Sequence, residues 1–143
     1  MNVVDSSGWL EYVAGGPNAA FFAKAIESTR ELVVPTLSVY EVFKRILQQR
    51  GEGDALQVIA VMQQGEVVEL SSALALQAAR LAVDLRLPMA DSIMLATARA
   101  FDAILWTQDA DFEDMAGVQV RRPRQSLAPD HGCQLGPDRV ALR

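Results

Sequence analysis

The sequence predicts an α/β fold, a three-layer α/β/α domain around a central, mostly parallel five-stranded sheet. Three observations predict it. Short β-branched or apolar runs alternate with longer helical patterns, the signature of βαβ units. The short runs are apolar without strict polar alternation, as expected of strands buried on both faces. The chain has 143 residues, half of them hydrophobic, which suits one domain with one packed core.

Taken in order, Asn2–Val4 is the first strand, and Gly15-Gly16-Pro17 is a turn between two short helices that follow it. Residues 32–34 form the second strand. The clearest helix is 38–50, where Val39, Val42, Phe43, Ile46 and Leu47 make one continuous stripe at i, i+3, i+4, i+7 and i+8. Gly51 and Gly53 end that helix. A second long helix, about 54–64, places Ala55, Val58, Ile59 and Met62 on one face. A strand at 66–70 precedes a third helix over 72–86, with Leu74, Ala78, Leu81, Ala82 and Leu85 aligned. After Pro88, a helix over about 90–101 is apolar almost all round, which predicts deep burial. Strands at 103–106 and Val118–Val120 complete the set. The domain therefore spans residues 1–121. Residues 122–143, with Pro123, Pro129, Gly132, Gly136 and Pro137 and little periodicity, read as an extended or mobile C-terminal tail. There is no internal repeat.

Composition excludes several function classes. No apolar run approaches the roughly 20 residues of a membrane span. The N-terminus lacks a basic n-region and a long apolar segment, so no signal peptide is expected. Cys133 is the single cysteine, which makes a cytoplasmic protein the default. The sole histidine, His131, lies in the tail, which argues against a His-based nuclease, a Ser-His-Asp triad or a zinc site. No Gly-rich phosphate loop followed by Lys-Ser or Lys-Thr is present. The net charge of −5 argues against nucleic acid as a partner when taken alone. Its distribution softens that: Arg121, Arg122, Arg124, Arg139 and Arg143 against Asp130 and Asp138 sum to +3, leaving −8 for residues 1–120. Those arginines either face a phosphate backbone or simply solvate the tail.

Four acids stand out. Asp5, Glu41, Asp91 and Asp109 each follow a strand-like segment or open the next helix. Each also has a local explanation. Asp5 can cap the helix beginning near Ser6. Ser38 through Glu41 reads as a capping box, with Ser38 at the N-cap, and Glu41 can also pair with Arg45. Asp91 lies in a first helical turn after Pro88, and Asp109 can cap a short helix. Taken together they share the edge of an open parallel sheet at which ligands bind. Glu41 also lies nearly opposite the apolar stripe of its helix. Carboxylates crowded together repel unless a hard cation sits among them, and helix N-termini oppose that repulsion by favouring the ionised form. Mg²⁺ or Mn²⁺ takes such oxygen ligands and can orient a scissile phosphate for attack by water.

The segments Val3-Val4-Asp5-Ser6-Ser7, Pro35-Thr36-Leu37-Ser38-Val39-Tyr40-Glu41-Val42, Pro88-Met89-Ala90-Asp91-Ser92 and Thr107-Gln108-Asp109-Ala110-Asp111-Phe112 occur in this order. The set resembles PIN-domain ribonucleases, most closely VapC-type toxins of bacterial toxin–antitoxin modules, over residues 2–121. The resemblance implies a PIN-like doubly wound α/β/α fold, Mg²⁺- or Mn²⁺-dependent endoribonuclease activity on an RNA substrate, homodimerisation and inhibition by a small cognate antitoxin. It makes Asp5, Glu41, Asp91 and Asp109 the metal-site and catalytic acids. Thr107 and Ser7 match flanking hydroxyl positions, and Asp111 matches the last motif as a loop support. For the antitoxin it suggests an apolar groove between the N-terminal helices near Trp9, Tyr12, Phe21 and Phe22, against which stands the expectation that at least two of these are core. Two rivals remain. One is a catalytically inactive scaffold subunit of the same fold. The other is a phospho-accepting receiver domain, which would need a lysine at a late strand end, whereas the only lysines are Lys24 and Lys44.

Overall fold

The computed structural model describes residues 1–123; the expected tail beyond them, with His131, Cys133 and three of its arginines, lies outside the described residues. Five strands, β1 (Asn2–Val4), β2 (Leu32–Pro35), β3 (Glu66–Val68), β4 (Ile104–Thr107) and β5 (Val118–Val120), form one sheet in the order β3-β2-β1-β4-β5. Every pairing is parallel, with Val3 opposite both Val33 and Leu105. The chain builds outward from β1 through β2 to β3, then returns to lay β4 and β5 on the other side of β1. The direction of winding therefore reverses between β1 and β4. At such a point the connections part on opposite faces and leave a crevice beyond the strands' carboxyl ends.

Among the described residues six helices cover the sheet: α1 (Ser6–Ala14), α2 (Ala19–Ile26), α3 (Thr36–Arg50), α4 (Glu52–Met62), α5 (Ser72–Leu85) and α6 (Met89–Ala100). The two-residue period of the strands sorts them into layers. Val4, Leu32 and Val34 pack on one face with Trp9, Phe22, Val42, Ile46, Ala55 and Met62 from α1–α4. Val3, Val33 and Leu105 pack on the other face with Met94, Leu95 and Ala98 of α6. Outside α6 lies α5, which joins it through Leu74 and Ala78 against Ile93 and Ala96. The expected three-layer α/β/α architecture is present. Helix α6 has every residue from Ser92 to Ala98 buried, as its all-round apolar sequence predicts. Close packing of α1 on α2 depends on Gly8: a Cβ there would lie 2.6 Å from the buried Phe22 ring and 2.8 Å from Val4.

The structure corrects the local reading in three places. Only the central strands are buried on both sides. Edge strand β3 exposes Glu66 and Val67, and β5 exposes Gln119. Helix α3 begins at Thr36 with Pro35 in extended conformation as its N-cap, so Ser38 is not a cap and the Ser38–Glu41 capping box does not form. Ser38 is instead fully buried, its hydroxyl 3.3 Å from the Met94 sulfur of α6. Proline has a φ suited to a helix entrance and no N–H to orphan there, so the helix starts two residues before the serine. Gly51, with φ 90°, ends α3, but Gly53 lies inside α4, and Leu47 turns outward at 42 % exposure. Of the four N-terminal aromatics, Trp9 and Phe22 are buried core, in line with the expectation that at least two of them are; Tyr12 and Phe21 pack partly buried against that core.

Candidate metal centre

Asp5 is the first residue beyond β1. Its N–H donates to the Trp106 carbonyl (2.9 Å), which carries the β1–β4 ladder one step past the strand and holds the backbone at the sheet edge. Its side chain caps α1: Oδ1 accepts from the Ser6 N–H at 2.7 Å. Oδ2 accepts from the hydroxyls of Ser7 at 3.3 Å and Thr107 at 2.9 Å. Thr107, the buried last residue of β4, also accepts the Asp109 N–H on the same hydroxyl oxygen at 3.0 Å. One threonine thus ties the acid after β1 to the acid after β4.

Asp109 caps the short 3₁₀ turn Ala110–Phe112, its Oδ1 accepting the Asp111 N–H at 2.9 Å. Glu41 reaches the site from the second turn of α3, where its Oε1 accepts the Ser6 hydroxyl at 2.9 Å. The anticipated pair between Glu41 and Arg45 does not form; among the described residues the one ion pair is Arg122 with Glu113, out on the surface. Asp91 stands in the first turn of α6 behind Pro88.

These elements converge. Asp5, Ser6, Ser7, Glu41, Ala90, Asp91, Gln108, Asp109 and Pro123 line one cleft of about 420 Å³. It opens at the carboxyl edge of the strands, where the winding reverses. Asp111 joins from the rim: Asp91, Asp109 and Asp111 each bring a carboxylate oxygen within 4.8 Å of the others'. The site-residue set therefore meets in space, with Thr107 and Ser7 serving as hydrogen-bond donors to Asp5.

Burial and mutual repulsion dominate the electrostatics. Burial, then the charges of Asp5 and Asp109, then a hydrogen bond to Asp109 and the charge of Asp111 push the Asp91 carboxyl up to about 7. Asp5 is raised by burial, although hydrogen bonds from Thr107, Ser6 and Ser7 favour its ionised form. Glu41 is raised by burial and by the Asp5 charge, against the Ser6 hydrogen bond. Among the described residues the donor set is carboxylate oxygen throughout, without imidazole or thiolate, and none of these acids is in an ion pair; Lys44 only partly offsets the charge of Glu41. That chemistry fits a hard divalent cation such as Mg²⁺ or Mn²⁺.

Three further residues escaped the sequence reading. Ser6 bridges Asp5 and Glu41 through its backbone and its hydroxyl. Its place directly after the first acid was a usable signal. Gln108 lines the cleft between Thr107 and Asp109, with its Nε2 donating to the Ser7 carbonyl at 3.3 Å. Asn18 reaches Gln108 from the turn before α2, across ninety positions of sequence, and nothing local announces it.

The PIN domain family matches residues 3–118 of the chain. No curated protein matches it by sequence. Several solved structures share the fold. A toxin–antitoxin complex from Klebsiella pneumoniae superposes with a TM-score of 0.73 at 18 % identity, covering 84 % of this chain and 97 % of that one. VapBC2 from Rickettsia felis, bound to a DNA fragment from its promoter, gives 0.66 at 10 % identity over 85 % and 97 %. The Mycobacterium tuberculosis toxin VapC20, described as cleaving the sarcin–ricin loop, gives 0.60 at 16 % identity over 72 % and 85 %.

Proposed function

This chain belongs to the PIN domain family, and from that premise we propose that it is a Mg²⁺- or Mn²⁺-dependent endoribonuclease, the toxin of a toxin–antitoxin module. One observation carries the reading: Asp5, Glu41, Asp91 and Asp109, from four separate segments, line a single cleft. In this reading Asp91 and Asp109 hold the ion with help from Asp5, Glu41 closes the opposite wall, and Asp111 contributes from the rim. When bound, the ion supplies positive charge to the phosphodiester undergoing hydrolysis. The protein's own part is positional. Thr107, Ser6 and Ser7 hold the acids by hydrogen bonds made before any ligand arrives, so little reorganisation accompanies binding. Lys44 and Arg45 line the groove beside Glu41, and Arg45 and Arg50 line the one beyond Ser7 and Gln108. All three stand on α3, and they give an RNA strand cationic contacts along that side of the acids.

The toxin reading draws its support from the family and from the toxin–antitoxin complexes that share the fold. With it come a small cognate antitoxin, a homodimer and a cytoplasmic location. On α5, Leu76 and Val83 lie seven residues apart on one face at 67 % and 79 % exposure, an apolar surface suited to a second copy. Among the described residues no helix is long and apolar enough to cross a membrane. In this proposal the nuclease unit is residues 1–121, against which Arg122 and Pro123 of the following segment are held.

The test is Asp91→Asn. It keeps the shape of the side chain and removes a charge from the ion's site. RNA cleavage in Mg²⁺ should fall by on the order of 10²-fold or more, while the protein without metal unfolds no more readily than wild type. Cleavage at the wild-type rate would overturn the assignment.

A further inference from the structure

Asn18 occupies the N-cap position of α2 yet makes no capping hydrogen bond with its side chain. It is 2 % exposed, and its Oδ1 is buried without a partner among the described residues, an arrangement that costs stability. Its side chain is committed elsewhere. Nδ2 donates to the Arg122 carbonyl at 3.0 Å and to the Gln108 Oε1 at 3.1 Å. The Gln108 Nε2 in turn donates to the Ser7 carbonyl at 3.3 Å. Both ends of this chain are backbone carbonyls, which can only accept, so the orientation of both amides is determined.

The consequence falls on the acids. Gln108 sits between Thr107, which donates to Asp5, and Asp109, which caps the next turn. Its bond to Ser7 draws the Asp109 loop onto the first turn of α1, two residues past Asp5. The Arg122 carbonyl accepts from the Asn18 amide, next to Pro123 on the cleft wall. We propose that Asn18 is a positioning residue of the acid cleft: through Gln108 it sets the spacing of Asp109 from Asp5, and hence the affinity for a divalent cation. The proposal rests on the reading of the cleft as a metal centre and is independent of which substrate is cut.

The experiment uses the full-length protein as Asn18→Ala, Gln108→Ala and the double variant. The readouts are Mn²⁺ binding by calorimetry and the ¹H–¹⁵N signals of the Gln108 side-chain amide, assigned by their loss in Gln108→Ala. Wild type should show Gln108 amide signals displaced from those of exposed glutamines, and Asn18→Ala should return them there. Each single variant should weaken Mn²⁺ binding by about 10-fold, the scale of losing a residue that orients metal ligands, and the double variant no further. Gln108 is partly exposed, so Gln108→Ala reports on its own if Asn18→Ala fails to fold. Unchanged Mn²⁺ affinity in Gln108→Ala, or single losses that multiply in the double variant, would overturn the proposal. Wild type that binds Mn²⁺ with this coupling yet cleaves no RNA would leave the positioning role of Asn18 standing and remove the ribonuclease reading instead.

Discussion

At the scale of the residue, Asp91 carries the greatest tension. Its carboxyl titrates at about 7 in the folded protein, against 3.8 when unperturbed. The folded state therefore holds a proton that the unfolded chain has already released. Between those two values stability falls as pH rises, and above them the penalty is fully in place. Asp5 and Glu41 are shifted in the same direction. Without metal, the midpoint of thermal unfolding should be higher at about pH 5 than at about pH 8. Asp91→Asn should narrow that gap, and added Mn²⁺ should raise the midpoint more at the higher pH, where the ligands are ionised. A midpoint that rises with pH in the absence of metal would contradict the repulsion described here. The four principal acids stood out because Asp5, Glu41 and Asp109 follow strands and Asp91 opens a helix. Asn18 and Gln108 were not, because their roles exist only once distant segments meet.

Elements show where local rules yield to packing. Ser38 followed by Glu41 three residues later satisfies the capping-box pattern, yet Pro35 starts the helix earlier and α6 covers the serine. Ser71 is a working cap, its hydroxyl accepting the Leu74 N–H at 3.1 Å at the start of α5. The two serines therefore separate cleanly by mutation. Ser71→Ala should cost about 1 kcal/mol in chemical denaturation, the ordinary value of an N-cap. Ser38→Ala should cost less than about 0.5 kcal/mol, since it removes only a weak bond to sulfur from an apolar setting. Equal losses would restore Ser38 as a cap. The helical stripes themselves were read well, because three- and four-residue spacing follows directly from helix geometry. Helix ends were read less well, and Leu47 was placed on the wrong side, because the curvature and exit of a helix depend on its neighbours.

For the whole molecule, the alternation of strands and helices gave the layer architecture, while the order of strands in the sheet was not readable from periodicity. That order, β3-β2-β1-β4-β5, is what turns separate acids into a site. It puts β1 beside β4, so Asp5 and Asp109 share Thr107, and it leaves α3 and α6 on opposite faces to bring Glu41 and Asp91 in from either side. The net charge of −5 is consistent with this arrangement, since part of the acidity is concentrated where a cation would neutralise it. The most direct test is a crystal soaked in Mn²⁺ and measured for anomalous scattering. The prediction is a peak within the cleft, in contact with Asp91 and Asp109 and close to Asp5. A soaked crystal with anomalous signal elsewhere, or with none in the cleft at saturating Mn²⁺ and a pH above the Asp91 titration, would contradict the assignment of these acids to a metal centre.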